Sequence, residues 1–436
     1  VGAGVLRTRP PPGGDPFARL GGVLTCGSHS LEDLANEHAT PLYVYDGDRI
    51  LERLATLRDA FAADGADPGS PGLVVAYSVK ANPGLAILKL LARAGAGADI
   101  VSGGELHRSL RAGVPAGLIV FAGVGKTRDE MRYGLRSGIR AFHVESAQEL
   151  DVLGSVAGDL GQVAPIAVRV NPDVDSPTHA FTRTGHARAK FGVSPGRALE
   201  MYRFTAEHPF LRAVGVDVHI GSQIRDPVPF VNALDVVLEV AGKVRGDLGI
   251  DLEYVDLGGG FGISDGEADE LDVRALARAI TRRLHGTSLT LVIEPGRFLV
   301  GDAGVLVTRV LYVKRSGGKT FVVTDAGMTD LIRPSHYGGI HAVSLVREQD
   351  GGPVEAVDVV GPVCEQGDFL ARDRHLALPH PGALLCVHQA GAYGFTMSSN
   401  YNSRLRPAEL LVRGGRVKRV RRRESYSDLI RNEADE

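Results

Sequence analysis

The chain has 436 residues, of which 44% are apolar and 23% charged, enough for a sizeable core in one large domain or two. Lys and Arg total 49 against 52 Asp and Glu, a formal charge of −3 that excludes a whole-chain pull toward nucleic acid or anionic membrane. The three cysteines, Cys26, Cys364 and Cys386, are too sparse and odd in number for a disulfide framework and point to a reducing compartment.

In chain order, residues 1–20 carry Pro10, Pro11, Pro12, Gly13 and Gly14. They lack the apolar stretch of a signal peptide and are expected to form a disordered tail, with order beginning near Gly22. No run approaches the roughly 20 apolar residues of a bilayer span, so a soluble, cytoplasmic protein with no membrane partner is expected. Pro41 to Tyr45 (PLYVY) reads as a strand. From Asp48 a helix is predicted with Ile50, Leu51, Leu54 and Leu57 on one side.

Apolar runs then recur at Leu73–Val79, Ala98–Val101, Leu118–Phe121, Ala141–Val144, Pro165–Val170, Ala213–His219, Leu252–Leu257 and Leu289–Ile293. Helical patterns separate most of them. One is predicted to start at Pro83 with Leu85, Leu88, Leu91 and Ala92 on its stripe; another carries Leu106 and Leu110 and stops at Gly113. Eight buried strands with helices between them over about 250 residues fit a (β/α)8 TIM-type barrel of α/β class, here residues 47–302. Beyond it, Val305–Val313, Phe321–Thr324, Val357–Val360, Leu384–Val387 and Leu410–Val412 predict a mainly β domain over 303–436, with residues 21–46 packing on it. The basic run Arg416–Arg423 lacks interleaved aromatics and reads as a solvated strand end, with no nucleic-acid partner expected.

Polar and glycine motifs recur just past the ends of these strands, which in a barrel lie on one face. The first strand runs into Lys80, the second contains Asp99, and the fourth and fifth are followed by Glu145 and Asn171. The sixth ends at His219, the seventh opens into Gly258, Gly259 and Gly260, and the eighth into Glu294, Pro295, Gly296 and Arg297. Three consecutive glycines let backbone N–H groups approach an anion, and phosphate sites in barrels often follow the seventh and eighth strands; an ordinary turn is the other reading. Lys80, ending an apolar strand, suits either a Schiff base with an aldehyde or a structural ion pair with Asp99 or Glu145. A phosphorylated aldehyde would use both the lysine and the glycines, and pyridoxal 5′-phosphate is the obvious one. Glu294 would then touch the pyridine nitrogen and His219 stack on the ring, unless His219 is simply a structural strand-end histidine.

These motifs resemble the fold-type-III pyridoxal-phosphate decarboxylases, in the branch that acts on diaminopimelate. The matching stretches are YSVKANP (77–83), GADIVSGGEL (97–106), FAGVGKTRDE (121–130), RVNPDVDSPTH (169–179), HIGSQI (219–224), DLGGGFGI (256–263), EPGRFLV (294–300), DAGMTDLIRP (325–334), GPVCEQGD (361–368) and GAYGFTMSSNYNSR (391–404). They cover nearly the whole chain beyond residue 40. The resemblance implies a cofactor-bearing barrel, a β domain and a homodimer with shared active sites. It implies that Lys80 holds the cofactor, that His219 stacks on it, and that Glu294 binds its nitrogen. Asp99, Ser222, Gly258 to Gly260, Gly296, Arg297 and Tyr393 would complete the cofactor site, and no metal is implied. Arg297, Arg333, Tyr337, Glu365 and Tyr393 would hold the substrate, and Cys364 of the partner subunit would protonate the carbanion.

The activity implied is release of carbon dioxide from meso-2,6-diaminopimelate to give L-lysine. Diaminopimelate has two amino-acid ends, so cations such as Arg333 and an anion such as Glu365 suit its carboxylate and ammonium groups. Thr329, His336 and Gln366 depart from the family's usual residues near the substrate-distal end. They leave open a related amino-acid-like substrate of a polyamine, siderophore or antibiotic pathway. Racemisation on the same fold would call for an arginine at the ring nitrogen where Glu294 stands. A non-catalytic cofactor-binding protein would be expected to lack Lys80 or Cys364.

Overall fold

The computed structural model describes residues 14–62, 71–173, 190–264 and 268–434. It divides into two compact units, one of Arg53–Ile263 with Glu270–Phe298, the other of Val1–Glu52, Ser264–Asp269 and Leu299–Glu436.

The first unit is a closed ring of eight parallel strands. They are β1 (Leu73–Ser78), β2 (Gly97–Ile100), β3 (Ile119–Phe121), β4 (Ala141–Val144), β5 (Ala164–Val170), β6 (Leu211–Val218), β7 (Tyr254–Asp256) and β8 (Thr290–Ile293), with β8 returning to β1. Each strand is an apolar run too short for a helix, bounded by cap and turn residues. The helices between them begin where polar side chains meet the orphan N–H groups. Ser102 caps Gly103–Ala112, Thr127 and Glu130 form a capping box on Arg128–Ser137, and Ser146 caps Ala147–Leu160. The first helix starts at Leu85 rather than Pro83. The Asn82 carboxamide accepts the Gly84 N–H at 3.0 Å, and this local turn competes with helix over residues 83 and 84. The buried stripe of that helix is Ile87, Leu88, Leu90 and Leu91, with Leu85 and Ala92 only partly covered.

Side chains alternate along a strand, so residues two apart share the barrel interior. Ala76, Val120, Ala141, Ala167, Val214, Tyr254 and Val292 form one apolar interior cluster. Two residues further along their strands stand Ser78, His143, Arg169, Asp256 and Glu294, all buried. The barrel is therefore apolar at one level and charged at the next, toward the strands' C-terminal ends.

The second unit is built on a nine-stranded, mainly antiparallel sheet. The strand read from PLYVY, Leu42–Asp46, is central in it, antiparallel to Gly304–Ser316 and parallel to Ala408–Arg413. Order begins before Gly22: Arg19–Leu20 pairs with Val23–Cys26, and Phe17 is buried in one core with Leu24, Leu42, Val305, Val346 and Leu410. The strand from 304 runs longer than its apolar stretch and is followed by Lys319–Thr324, Gly351–Val360 and Phe369–Pro379. Arg416–Arg421 is an edge strand; beside it the guanidinium of Arg421 pairs with Glu409, that of Arg422 with Asp428 at 2.6 Å, and Arg423 donates to Pro41 O at 2.6 Å. Among the described residues no helix is long and apolar enough to cross a membrane.

Candidate active site

Lys80 lies in a single 3-10 turn, Val79–Ala81, immediately after β1. Its Nζ is 3.1 Å from Asp99 Oδ2, an oxygen that also accepts from Ser78 Oγ at 2.5 Å. Burial alone would raise the Asp99 carboxyl, but Lys80 and Ser78 outweigh it and hold the group below its ordinary value. Asp99 is only 1% exposed whereas the Lys80 side chain is 38% exposed. The pairing with Asp99 is thus present, and it anchors an amine that still opens to the rim.

Glu145 has different partners. It accepts Arg169 Nη1 at 3.2 Å and the N–H groups of Gly123 and Gly192. Asn171 likewise braces the rim, donating to Phe191 O at 3.3 Å. Most of the segment from Asn171 to Ser194 lies outside the described residues.

His219 follows β6 and is half-buried. Its Nδ1 accepts the Gly259 N–H at 3.0 Å, which leaves Nε2 as the protonated nitrogen of a neutral ring. Burial, with Arg169 and Lys80 nearby, lowers its pKa to about 3, so the imidazole is uncharged across the neutral range. A neutral ring fixed in orientation is what stacking on a heteroaromatic requires.

The three glycines after β7 are demanded by packing whatever they bind. A Cβ on Gly259 would sit 2.2 Å from Glu294 O, and one on Gly260 2.3 Å from Gly221 O. Gly258 and Gly260 also have φ of +68° and +90°, the left-handed region that favours glycine. Ile224 N donates to Gly260 O at 2.9 Å, joining this loop to the one that carries Ser222. Gly296 packs against Ser78 and Ala81, where a Cβ would come within 3.0 Å, so the turn after β8 that leads into Arg297 lies against the Lys80 segment.

Beneath this rim, His143, Asp217, Asp256 and Glu294 bring donor atoms within 4.8 Å of one another. His143 Nε2 is 3.0 Å from Tyr254 Oη, and its Nδ1 is 3.4 Å from Asp217 Oδ2 and 3.9 Å from Glu294 Oε1. Burial opposes charge on His143, yet Asp217 and then Asp256 raise it above its ordinary value. Asp99, Asp217, Asp256 and Glu294 crowd one another in this layer, so the carboxyl groups around Asp256 and Glu294 raise the cost of ionising them. Burial, assisted by Asp256, Asp99 and Asp217, pushes Glu294 well above the carboxylate range. Burial likewise brings Asp256 to about 7, against the pull of His143. Glu294 Oε1 is buried without a hydrogen-bond partner among the described residues.

These features fit pyridoxal phosphate: an amine open to the rim, a buried carboxyl oxygen without a hydrogen bond among the described residues for a pyridine nitrogen, a neutral stacking ring and a glycine-rich turn for a phosphate. The interior groups His143, Arg169, Asp217 and Asp256 had no role assigned from sequence, although Arg169 and Asp256 open two of the matching stretches. For His143, Arg169 and Asp256 the signal was a charged residue two positions beyond an inward apolar one in a buried strand; Asp217 falls out of that spacing because the strand's register shifts between Ala213 and Gly215.

The remaining candidates lie in the second unit. Arg333 opens the short helix Arg333–Tyr337. Tyr393 has φ +57°, a strained conformation for a non-glycine residue of the kind that collects at functional sites. Cys364 and Glu365 are exposed on a loop that Asp368 organises by accepting the N–H groups of Val363 at 2.5 Å and Met328 at 2.6 Å. Of the three departures, Thr329 is buried and donates to Asp330, while His336 and Gln366 are exposed.

Residues 48–301 match the family described as pyridoxal-dependent decarboxylase, pyridoxal binding domain, and the chain belongs to that family. It is 46% identical to the diaminopimelate decarboxylase of Pseudomonas aeruginosa over 96% of this chain and 99% of that protein. To that of Aquifex aeolicus it is 45% identical, over 93% and 94%. The crystal structure of the Helicobacter pylori diaminopimelate decarboxylase complexed with L-lysine superposes with a TM-score of 0.86 at 40% identity, covering 92% of this chain and 98% of that one. That of the M. jannaschii enzyme gives 0.90 at 35%, covering 97% and 98%.

Proposed function

We propose that the chain is a pyridoxal 5′-phosphate-dependent decarboxylase that converts meso-2,6-diaminopimelate to L-lysine and carbon dioxide. The observation that carries this reading is Lys80, anchored on Asp99 yet open to the rim, on the same barrel end as the buried Glu294 oxygen that has no hydrogen bond among the described residues. The names of relatives at 40–47% identity support the substrate.

When bound, pyridoxal phosphate supplies an electron sink for the pair left at the α-carbon as carbon dioxide departs. Lys80 Nζ would hold the cofactor's aldehyde end, with Asp99 keeping the amine in place. Glu294, whose carboxyl burial and neighbouring carboxyl groups raise, would share a proton with the ring nitrogen, and the neutral His219 would stack on the ring without adding charge. Gly258, Gly259, Gly260, Gly296, Ser222, Arg297 and Tyr393 would hold the phosphate end. Arg333, Tyr337, Glu365, Arg297 and Tyr393 hold the substrate, and the Cys364 thiol delivers the proton that replaces carbon dioxide. A cytoplasmic setting suits three free cysteines, two of them buried.

Carbon dioxide release from a panel of meso-diaminopimelate, D-lysine, ornithine and carboxynorspermidine tests the substrate. Diaminopimelate is expected to give kcat/KM at least ~100-fold above the others, as loss of a charge-paired group predicts; equal or better turnover of another member would replace it.

The exposure of Cys364 and Glu365 favours a homodimer in which each subunit completes the other's site. Mixing inactive Lys80→Ala and Cys364→Ala chains should restore up to about a quarter of wild-type activity, because half the dimers are hybrids with one intact site. No recovery after confirmed subunit exchange would assign both residues to the same subunit's site.

A further inference from the structure

Arg333 is held by a side chain with no assigned role. The helix Arg333–Tyr337 ends at Gly338, whose φ is +60°, and the chain turns back to bring His341 against the arginine. His341 is buried, 2% exposed. Its Nε2 lies 2.8 Å from Arg333 Nη1 and its Nδ1 2.8 Å from the carbonyl oxygen of His388.

The chemistry of the two partners fixes the ring between them. A guanidinium can only donate and a carbonyl can only accept. The imidazole therefore donates from Nδ1 and accepts at Nε2, which makes it neutral and a single tautomer. The carbonyl end is rigid: His388 N donates to Ala342 O at 2.9 Å, the strands Val343–Leu345 and Leu384–Val387 pair beside it, and the His388 ring is 2.8 Å from Ser344 Oγ. Orientation thus passes from the sheet through His388 and His341 to the arginine fork. A carboxylate at position 341 could also hold Arg333, but it would cancel the positive charge that an anionic ligand needs. A neutral acceptor orients the fork and leaves its charge intact.

We propose that His341 is a positioning residue for substrate specificity, a neutral acceptor that aims Arg333 at the carboxylate retained in the product. The proposal rests on the reading of Arg333 as the binder of that carboxylate. L-Lysine still carries the carboxylate after the reaction, whereas 1,5-diaminopentane has the same chain without it.

The test uses the holoenzyme, inhibition by L-lysine and by 1,5-diaminopentane, and KM and kcat for meso-diaminopimelate. His341→Leu should raise KM and the L-lysine inhibition constant about tenfold or more, as expected for a lost hydrogen bond to a charged group. The diaminopentane constant should stay within about twofold and kcat within about threefold. His341→Gln, which presents both an acceptor and a donor, should return both carboxylate-dependent values toward wild type. His341→Asn can meet the His388 carbonyl but is too short to reach Arg333; it should behave like His341→Leu and serves if that variant does not fold. Parallel losses for both inhibitors, wild-type selectivity in His341→Asn, or a glutamine variant no better than leucine would overturn the proposal. Arg333→Leu separates the two levels. If it weakens both inhibitors equally, the reading of Arg333 fails; if it is selective while the His341 variants are not, only the role of His341 fails.

Discussion

Lys80→Ala should lower turnover by roughly four orders of magnitude or more, the scale seen when a covalent anchor is removed, and should leave the purified protein colourless. Two effects combine in this variant. The amine that would hold the aldehyde is gone, and Asp99, 1% exposed, loses the cation that offsets its burial. Asp99 titrates below its ordinary value when folded, so its contribution to stability is present above about pH 4 and is lost as pH falls through the folded value. Removing Lys80 withdraws part of that contribution at neutral pH, and a lower melting temperature at pH 7 than wild type is expected, with the gap closing toward acid. Steady-state rates, the visible spectrum and melts at several pH values check all three statements. A yellow, active Lys80→Ala protein would remove the residue from the mechanism.

Glu294→Gln should cost about three decades in kcat with little change in KM. A carboxylate and a protonated ring nitrogen about 4 Å apart, at an effective dielectric near 20, attract by roughly 4 kcal/mol, and that sum expressed in the transition state is about a thousandfold in rate. Glutamine keeps the volume and can still hydrogen-bond, but it cannot hold the proton that burial and the neighbouring carboxyl groups place on Glu294. Because Lys80 is untouched, the variant should stay yellow. A yellow Glu294→Gln enzyme with more than a tenth of wild-type kcat would reduce Glu294 to a packing role. Asp256 and Asp217 crowd the same carboxyl, so their amide variants should lower the affinity of Glu294 for its proton rather than abolish the reaction.

Much of the barrel was legible because its signals are local. Short apolar runs and the stop at Gly113 each act within a few residues, and Lys80, Asp99, His219 and Glu294 fall at strand ends where the barrel gathers them. The helix expected from Pro83 starts later because the Asn82 side chain captures the backbone two residues on. The interior layer of His143, Arg169, Asp217 and Asp256 was hidden for a different reason. Each is one charge in an apolar strand, and only closure of the ring shows that they face one another across it. In the second unit Phe17, Leu42, Val346 and Leu410 share a core over more than 300 positions of sequence, a contact no window of residues reveals. Arg333, Cys364 and Glu365 gained roles from family resemblance alone. The hydrogen bond from Arg333 to His341 depends on a turn at Gly338 and Gly339 that reads only as a loop.

Borohydride reduction of the holoenzyme followed by peptide mass mapping reads out the bond between Lys80 and a phosphorylated pyridine aldehyde. A single reduced pyridoxyl group is expected, carried by the peptide containing Lys80. A group on another lysine such as Lys126, or spread over several lysines, would contradict it.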